Sequence, residues 1–470
     1  MTASSTSAGE GPEYRNDQEH PQGPPHPEAA VPEPATPSGS AVSSGAVASS
    51  EGRPSAGDRP APQDTPSAGD RPSPDGTPSA EDPPSPADGE YPSDREYIVG
   101  APHAPLRPQV DPLAALRTTD DPPWDVYLTG TVFLDIIFTG LDSAPVRGTE
   151  SWARGMGSSP GGVANMATAL ARLGLRTSLA AAFGDDHYGE YCWDALEQGE
   201  GIDLSPSRTV PGWHSPVTVS MAYEGERTMV SHGHEPPPED VLVQEVAPQL
   251  LPRARAAVAS LTPGHSAPWI AEAARKGTRV FGDVGWDDTG AWDLAGLADL
   301  AHCEAFLPNA EEAMRYTRTD CPRTAAHALT EYVPVAVVTL GAEGAYAVDR
   351  RTGESAEVPA IAVEALDPTG AGDVFVAGFV TGSLAGWPLA DRLAFAGLTA
   401  ALSVQEFGGS LSAPGWSEIA AWWRRVQSVP GQDPAALRRY AFLDALLPAA
   451  SVEPWPRRRA VPTIGFGRSA

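Results

Sequence analysis

The chain predicts an α/β architecture, a doubly wound and mostly parallel sheet flanked by helices, and three observations carry that prediction. From Val126 onward, short apolar runs alternate with stretches of helical periodicity. One segment, from Pro216 to Ser231, breaks the alternation with the pattern of a β-hairpin. A glycine-rich turn, Asp367-Pro-Thr-Gly-Ala-Gly-Asp373, then runs straight into a small-residue apolar helix.

Asp125 to Phe133 reads as the opening strand. Val163, Met166, Ala167, Leu170 and Leu173 recur at spacings of three and four, so the segment after Gly162 is expected to be a helix closed by Gly174. Leu179 to Phe183 reads as the next strand, and Ala257–Leu261, Arg279–Val284, Ala305–Leu307 and Val335–Leu340 as later ones, each followed by a helix-like stretch. The hairpin pairs Pro216–Tyr223 with Gly225–Ser231 through a turn near Glu224–Glu226. Near the end, Ala435–Leu447 is patterned as one amphipathic helix.

Composition divides the 470 residues into three parts. Met1 to about Pro122 is Pro, Ser, Ala, Gly, Asp and Glu with hardly an aromatic; it cannot bury enough surface to offset its chain entropy, and residues 1–122 are expected to be a disordered arm. Pro54-Ser-Ala-Gly-Asp-Arg-Pro60 recurs there as Pro66–Pro72 and, degraded, as Pro78–Pro84, a low-complexity repeat. Residues 123–430 are the expected folded domain, and 431–470 a C-terminal helix and basic tail, where Arg457-Arg458-Arg459 reads as a solvated end. A net charge of −29 argues against nucleic acid and anionic membrane as partners. No apolar run approaches the roughly 20 residues of a membrane span, and the N-terminus lacks the basic and apolar regions of a secretory signal, so a cytoplasmic protein is expected. Cys192, Cys303 and Cys321, odd in number and without a Cys-x-x-Cys pair, fit unpaired thiols.

The strongest chemical signal is the turn at Gly370-Ala371-Gly372-Asp373. Backbone N–H groups with little side chain around them, at the positive end of a helix, can surround a developing anion. A carboxylate beside that anion suits taking a proton from an attacking hydroxyl, so the pair points to phosphoryl transfer to an alcohol. Read alone, the same residues also make a turn with a helix-capping aspartate, worth about 1 kcal/mol.

Asp367 to Val380 resembles, across all fourteen positions, the C-terminal signature of the ribokinase-like carbohydrate kinases, the phosphofructokinase-B family. Gly161-Gly162-Val-Ala-Asn165 through Gly174 resembles that family's N-terminal signature, in the expected order. The resemblance implies a ribokinase-like fold with a small β lid, here drawn from about 136–160 and 210–233, acting on ATP with Mg²⁺. It implies Asp373 as general base with Gly370, Ala371 and Gly372 as the anion hole, and Asp135, Gly161, Gly162 and Asn165 as sugar-binding residues. Asn309-Ala-Glu-Glu312 resembles the family's Asn-x-x-Glu motif, its spacing of three placing both side chains on one helix face; Glu312 would orient water around Mg²⁺. An acidic, solvent-facing first turn is the plainer reading of those four residues. Thr339, Gly341 and Gly344 match a Thr-x-Gly-x-x-Gly nucleotide loop, with Asn309 beside it, and a plain hairpin reads equally from the residues.

Asp367 and Thr369, with carbonyls between Phe407 and Ser412, are expected by resemblance to hold a monovalent cation, K⁺. No Gly-x-x-x-x-Gly-Lys-Ser/Thr loop occurs, and the only lysine, Lys276, is placed outside any such loop, which excludes P-loop chemistry. After Asp283 the chain departs from the family: Val-Gly-Trp286-Asp-Asp stands where many relatives carry an asparagine and an arginine. Trp286 offers a surface for a sugar face or an aromatic base, or fills a hydrophobic gap. The expected partner is a small sugar; a nucleoside kinase and a non-catalytic sugar sensor are the rival readings, and a homodimer is the expected assembly.

Overall fold

A computed structural model describes residues 110–223, 226–234, 251–287, 289–429, 431 and 433–447. Residues 1–109 of the arm expected over 1–122, the centre of the hairpin turn and the basic tail lie outside the described residues.

Fourteen strands are described. Eight form the main sheet: β1 (Trp124–Thr129), β4 (Thr177–Ala180), β9 (Ala254–Leu261), β10 (Arg279–Val284), β11 (Ala305–Phe306), β12 (Val335–Thr339), β13 (Ala345–Asp349) and β14 (Glu354–Val358), in the order β14-β13-β12-β11-β10-β9-β1-β4. β4 through β12 run parallel, and β13 and β14 close one edge antiparallel. The alternation along each strand feeds two separate cores. Val126, Leu128, Phe281, Val335 and Val337 point to one, with α1 (Val163–Arg172), α6 (Ala371–Leu384), α7 (Leu389–Ser403) and α8 (Trp416–Ser428). Tyr127, Val280, Ala336 and Val338 point to the other, with α3 (Pro268–Arg275), α4 (Ala310–Thr317) and α5 (Pro322–Leu329). Burial on both faces is what turns these strands into near-continuous apolar runs. α6 is apolar all round because Val374 to Leu384 are all buried.

A second sheet, ordered β3-β2-β7-β8, comprises β2 (Val132–Leu141), β3 (Gly155–Gly162), β7 (Val217–Tyr223) and β8 (Glu226–His232). β2 pairs antiparallel with β3 and parallel with β7, and β7 pairs antiparallel with β8. A two-stranded piece joins β5 (Ala182–Gly184) to β6 (Arg208–Val210), flanking α2 (His187–Asp194).

The structure corrects several sequence boundaries. The opening strand is two elements: after Thr129 the chain leaves the main sheet, Thr131 O accepts Val163 N at 3.1 Å, and β2 begins the second sheet. Asp135 therefore lies within a strand of the second sheet. That sheet begins at Val132 and Val217, while residues 208–210 pair elsewhere. The strand expected at 179–183 is divided between β4 and β5. Packing begins before Pro123, because Val110 and Leu113 are buried in the core and Arg117 reaches Asp125 at 2.6 Å. The helix expected over 435–447 is α9 (Pro434–Tyr440) followed by a 3-10 turn, Ala441–Ala445. This segment docks: Tyr440 and Leu443 are buried in the core, and Trp423 Nε1 donates to Asp444 Oδ1 at 2.7 Å.

Candidate active site

The two glycine motifs meet although about 200 residues separate them. Gly162 has φ +62°, a conformation other side chains avoid, and it turns β3 into α1. Gly161 serves a different need, since a Cβ there would lie no more than 2.5 Å from the Asp135 carboxylate atoms. Asp135, in register with Ser159 across β2 and β3, therefore rests its carboxylate against bare backbone.

Asn165, in the first turn of α1, donates from Nδ2 to Asp373 Oδ2 at 2.9 Å. A carboxylate accepts only, so the amide must present Nδ2 to it, which directs Oδ1 the other way. Oδ1 is buried and has no hydrogen-bond partner among the described residues. A Cβ on Gly409 would fall 2.8 Å from Asn165 Oδ1 and 3.6 Å from Asp135 Oδ2, and one on Gly370 would fall 3.3 Å from the Asn165 amide. Asp135, Asn165, Gly370, Asp373 and Gly409 thus share one small space.

Gly370, at φ +76°, is the N-cap of α6 and Asp373 sits in its first turn. Asp367 holds the approach to this helix: Oδ1 accepts Thr369 N at 3.0 Å and Oδ2 accepts Gly408 N at 3.1 Å. Its buried carboxylate meets no cationic side chain among the described residues. In the loop nominated for a cation, Ser412 N donates to Gly408 O at 2.7 Å and Arg172 Nη1 donates to Leu411 O at 2.9 Å. Ser410 Oγ donates to Pro160 O, tying this loop to the N-terminal glycine motif.

Asn309 and Glu312 form a capping box: Glu312 N donates to Asn309 Oδ1 at 3.0 Å and Asn309 N to Glu312 Oε2 at 2.9 Å. Asn309 is the N-cap and lies outside the helix, so the two side chains face each other's backbone and do not share a helix face. Burial pushes the Glu312 carboxyl up, with the Asn309 bonds opposing it. Thr339 adjoins Asn309, its N–H donating to Pro308 O at 3.2 Å. Gly341 is at φ +57° with open space around it, whereas Gly344, at φ +116°, would clash with the backbone at Val358 and Ala360 if it carried a Cβ.

Asp283, at the end of β10, was given no role by the sequence. Burial, then the nearby Asp373 and Glu312 charges, hold its carboxyl well above the usual carboxylate range. The charges that act on Asp283 at the end of β10 are thus carried by α4 and α6. The Gly408-Gly409 pair following α7 was the available signal for Gly409; no local pattern singled out Asp283.

Residues 129–416 match the pfkB family carbohydrate kinases. The chain belongs to that family. It is therefore a phosphotransferase with an alcohol acceptor. A ribokinase of Schizosaccharomyces pombe is 37% identical over 129 residues, covering 26% of this chain and 40% of that protein, so this match spans less than half of the relative. A nucleoside kinase of Methanothermobacter thermautotrophicus is 29% identical over 300 residues, 63% of this chain and 94% of that protein. Among solved structures, a putative Ribokinase II from E. coli in complex with ATP and Mg²⁺ superposes with a TM-score of 0.53 at 18% identity, covering 64% of this chain and 99% of that one. The fold is ribokinase-like. No helix among the described residues is long and apolar enough to cross a membrane.

Proposed function

We propose that this pfkB-family chain transfers the γ-phosphoryl group of ATP to a sugar hydroxyl, with Asp373 as the general base. The observation that carries this reading is the Asn165 amide, which fixes Asp373 through Nδ2 and leaves a buried Oδ1 in need of a donor. A sugar hydroxyl meets that need. Asp135, beside it, accepts hydrogen bonds from further hydroxyls, and Gly161 and Gly409 leave room for the ring.

Asp373 then takes the proton of the attacking hydroxyl, and the Gly370, Ala371 and Gly372 amides at the start of α6 stabilise charge on the group in transfer. Asn309, Thr339, Gly341 and Gly344 border the nucleotide side. The like-charge crowding of Asp283, Glu312 and Asp373 suits a divalent cation, and the carboxylates do not close into a direct ligand set, so Glu312 and Asp283 would hold Mg²⁺ through its waters. When bound, Mg²⁺ would neutralise phosphoryl charge. Asp367 and Thr369 carry the proposed K⁺ site, whose physical support is a buried carboxylate without a countercharge among the described residues.

ADP release from ATP and Mg²⁺, measured against pentoses, hexoses, sugar phosphates and nucleosides, tests the reading. Turnover with at least one acceptor and a phosphate ester as product is expected; no turnover with any of them would overturn it.

A further inference from the structure

A buried cation stands at the far end of the helix that carries Asn165, and phosphoryl transfer as described does not use it. Arg172 is the last residue of α1, and its side chain is 3% exposed. The guanidinium is engaged on both sides. Nε and Nη2 donate to the two Glu200 carboxylate oxygens at 2.8 and 2.6 Å, while Nη1 donates to Leu411 O at 2.9 Å and to Ala413 O at 2.6 Å. Glu200 follows the helical turn Ala195–Gly199, and its side chain is 1% exposed.

Stability alone does not account for this arrangement. Two opposite charges lose their hydration on burial, and such a pair contributes little beyond what apolar side chains of like volume would. What the guanidinium supplies is direction, because its planar fork fixes a carboxylate on one side and two carbonyls on the other. Those carbonyls belong to the segment between α7 and α8. Leu411 there clusters with Ile137 and Phe407, apart from the two main cores, so directed bonds have much of the segment to hold.

The same segment is a wall of the acceptor space. Gly409 lies in it, where a Cβ would fall 2.8 Å from Asn165 Oδ1 and 3.6 Å from Asp135 Oδ2. Ser412 Oγ donates to Gly409 O at 2.7 Å, so a displacement of Leu411–Ala413 is passed to Gly409. Asn165 and Arg172 are seven residues apart on α1, two turns and nearly the same face, about 10 Å along the axis. One helix therefore holds Asp373 through Asn165 at its first turn, at 2.9 Å, and the Gly409 segment through Arg172 at its last. Trp416 Nε1, donating to Leu173 O at 3.0 Å, ties the end of that segment to the same helix terminus.

We propose that Arg172 is a positioning residue: by holding the Leu411 and Ala413 carbonyls it sets Gly409 against Asn165 and Asp135 and so fixes the width of the acceptor space. Glu200 acts one step further back, by orienting the guanidinium. This rests on the phosphotransfer reading above.

The test compares Arg172→Met, Arg172→Lys and Glu200→Gln with wild type, with thermal unfolding measured for each and kinetics taken well below every midpoint. Arg172→Met removes every donor, and Arg172→Lys keeps the charge beside Glu200 but lacks the fork that spans both sides. Glu200→Gln leaves Nη1 on its carbonyls. All three are expected to unfold at lower temperature than wild type. The two Arg172 variants are expected to raise KM for the acceptor by about tenfold with KM for ATP within about twofold, whereas Glu200→Gln moves acceptor KM by less than about threefold. Should Arg172→Met not fold, Arg172→Lys carries the comparison. Wild-type acceptor KM in folded Arg172→Lys overturns the inference. Equal rises in Arg172→Lys and Glu200→Gln do so too, since the effect would then follow lost stability, as does an equal rise in KM for ATP. Wild-type turnover with these outcomes removes the inference alone, whereas no turnover with any acceptor removes the phosphotransfer reading and the inference together.

Discussion

Gly161→Ala isolates the acceptor end of the site, because the only new atoms fall on the Asp135 carboxylate. The new Cβ would sit no more than 2.5 Å from Cγ, Oδ1 and Oδ2, where contacts under 3.0 Å are essentially never seen. The carboxylate must retreat by on the order of 1 Å, and a misplacement of that size costs roughly 100-fold, about 2.7 kcal/mol of transition-state stabilisation. Gly161 does not occupy a left-handed conformation, so the backbone tolerates alanine. The neighbour supplies the control: Gly162, at φ +62° with its would-be Cβ against Thr131 O, should lose stability when replaced by alanine. Steady-state kinetics with the acceptor and ATP varied separately, together with thermal unfolding, distinguish the two. Gly161→Ala is expected to lose acceptor kcat/KM by about 100-fold with KM for ATP and the unfolding midpoint nearly unchanged. A value within about threefold of wild type, in a folded variant, would refute the placement of Asp135 at the acceptor.

Two further outcomes follow from charge burial. Asp125 is fully buried; burial alone would raise its carboxyl, but bonds from Arg117 at 2.6 Å and Arg176 at 3.0 Å hold it below the usual 3.8. Its contribution is therefore present above that value and lost as pH falls through the lower folded value. Asp125→Asn should cost about 3–5 kcal/mol at pH 7, with wild-type and variant unfolding curves converging at pH values below 3.8; equal stability at pH 7 would contradict this. For Asp367, the uncompensated buried carboxylate predicts faster initial rates in K⁺ than in Na⁺ buffer, and equal rates would remove the cation site.

The parallel core was legible because strands such as Val335–Thr339 bury both faces and so read as unbroken apolar runs between helices. The step from β1 to β2 was not, since Gly130 and Thr131 interrupt neither the apolar content nor the β pattern while the chain changes sheets. The C-terminal segment showed helical periodicity but no signal for the change to a 3-10 turn after Tyr440. At the site, Asp373 and Asn165 could be nominated from their local motifs, but their 2.9 Å contact is a product of tertiary packing. Asp283 illustrates the limit: its meaning comes from carboxylates 29 and 90 residues further along, and nothing at the end of β10 encodes their approach.

The central claim is that Asp373 removes the acceptor proton, and the most direct test is kcat of Asp373→Asn beside wild type with the acceptor identified from the panel. Asparagine retains the shape and a hydrogen bond to Asn165 but cannot take the proton, so kcat should fall by about 10²–10⁴-fold with both KM values little changed and the fold intact. Full turnover in Asp373→Asn would contradict the account.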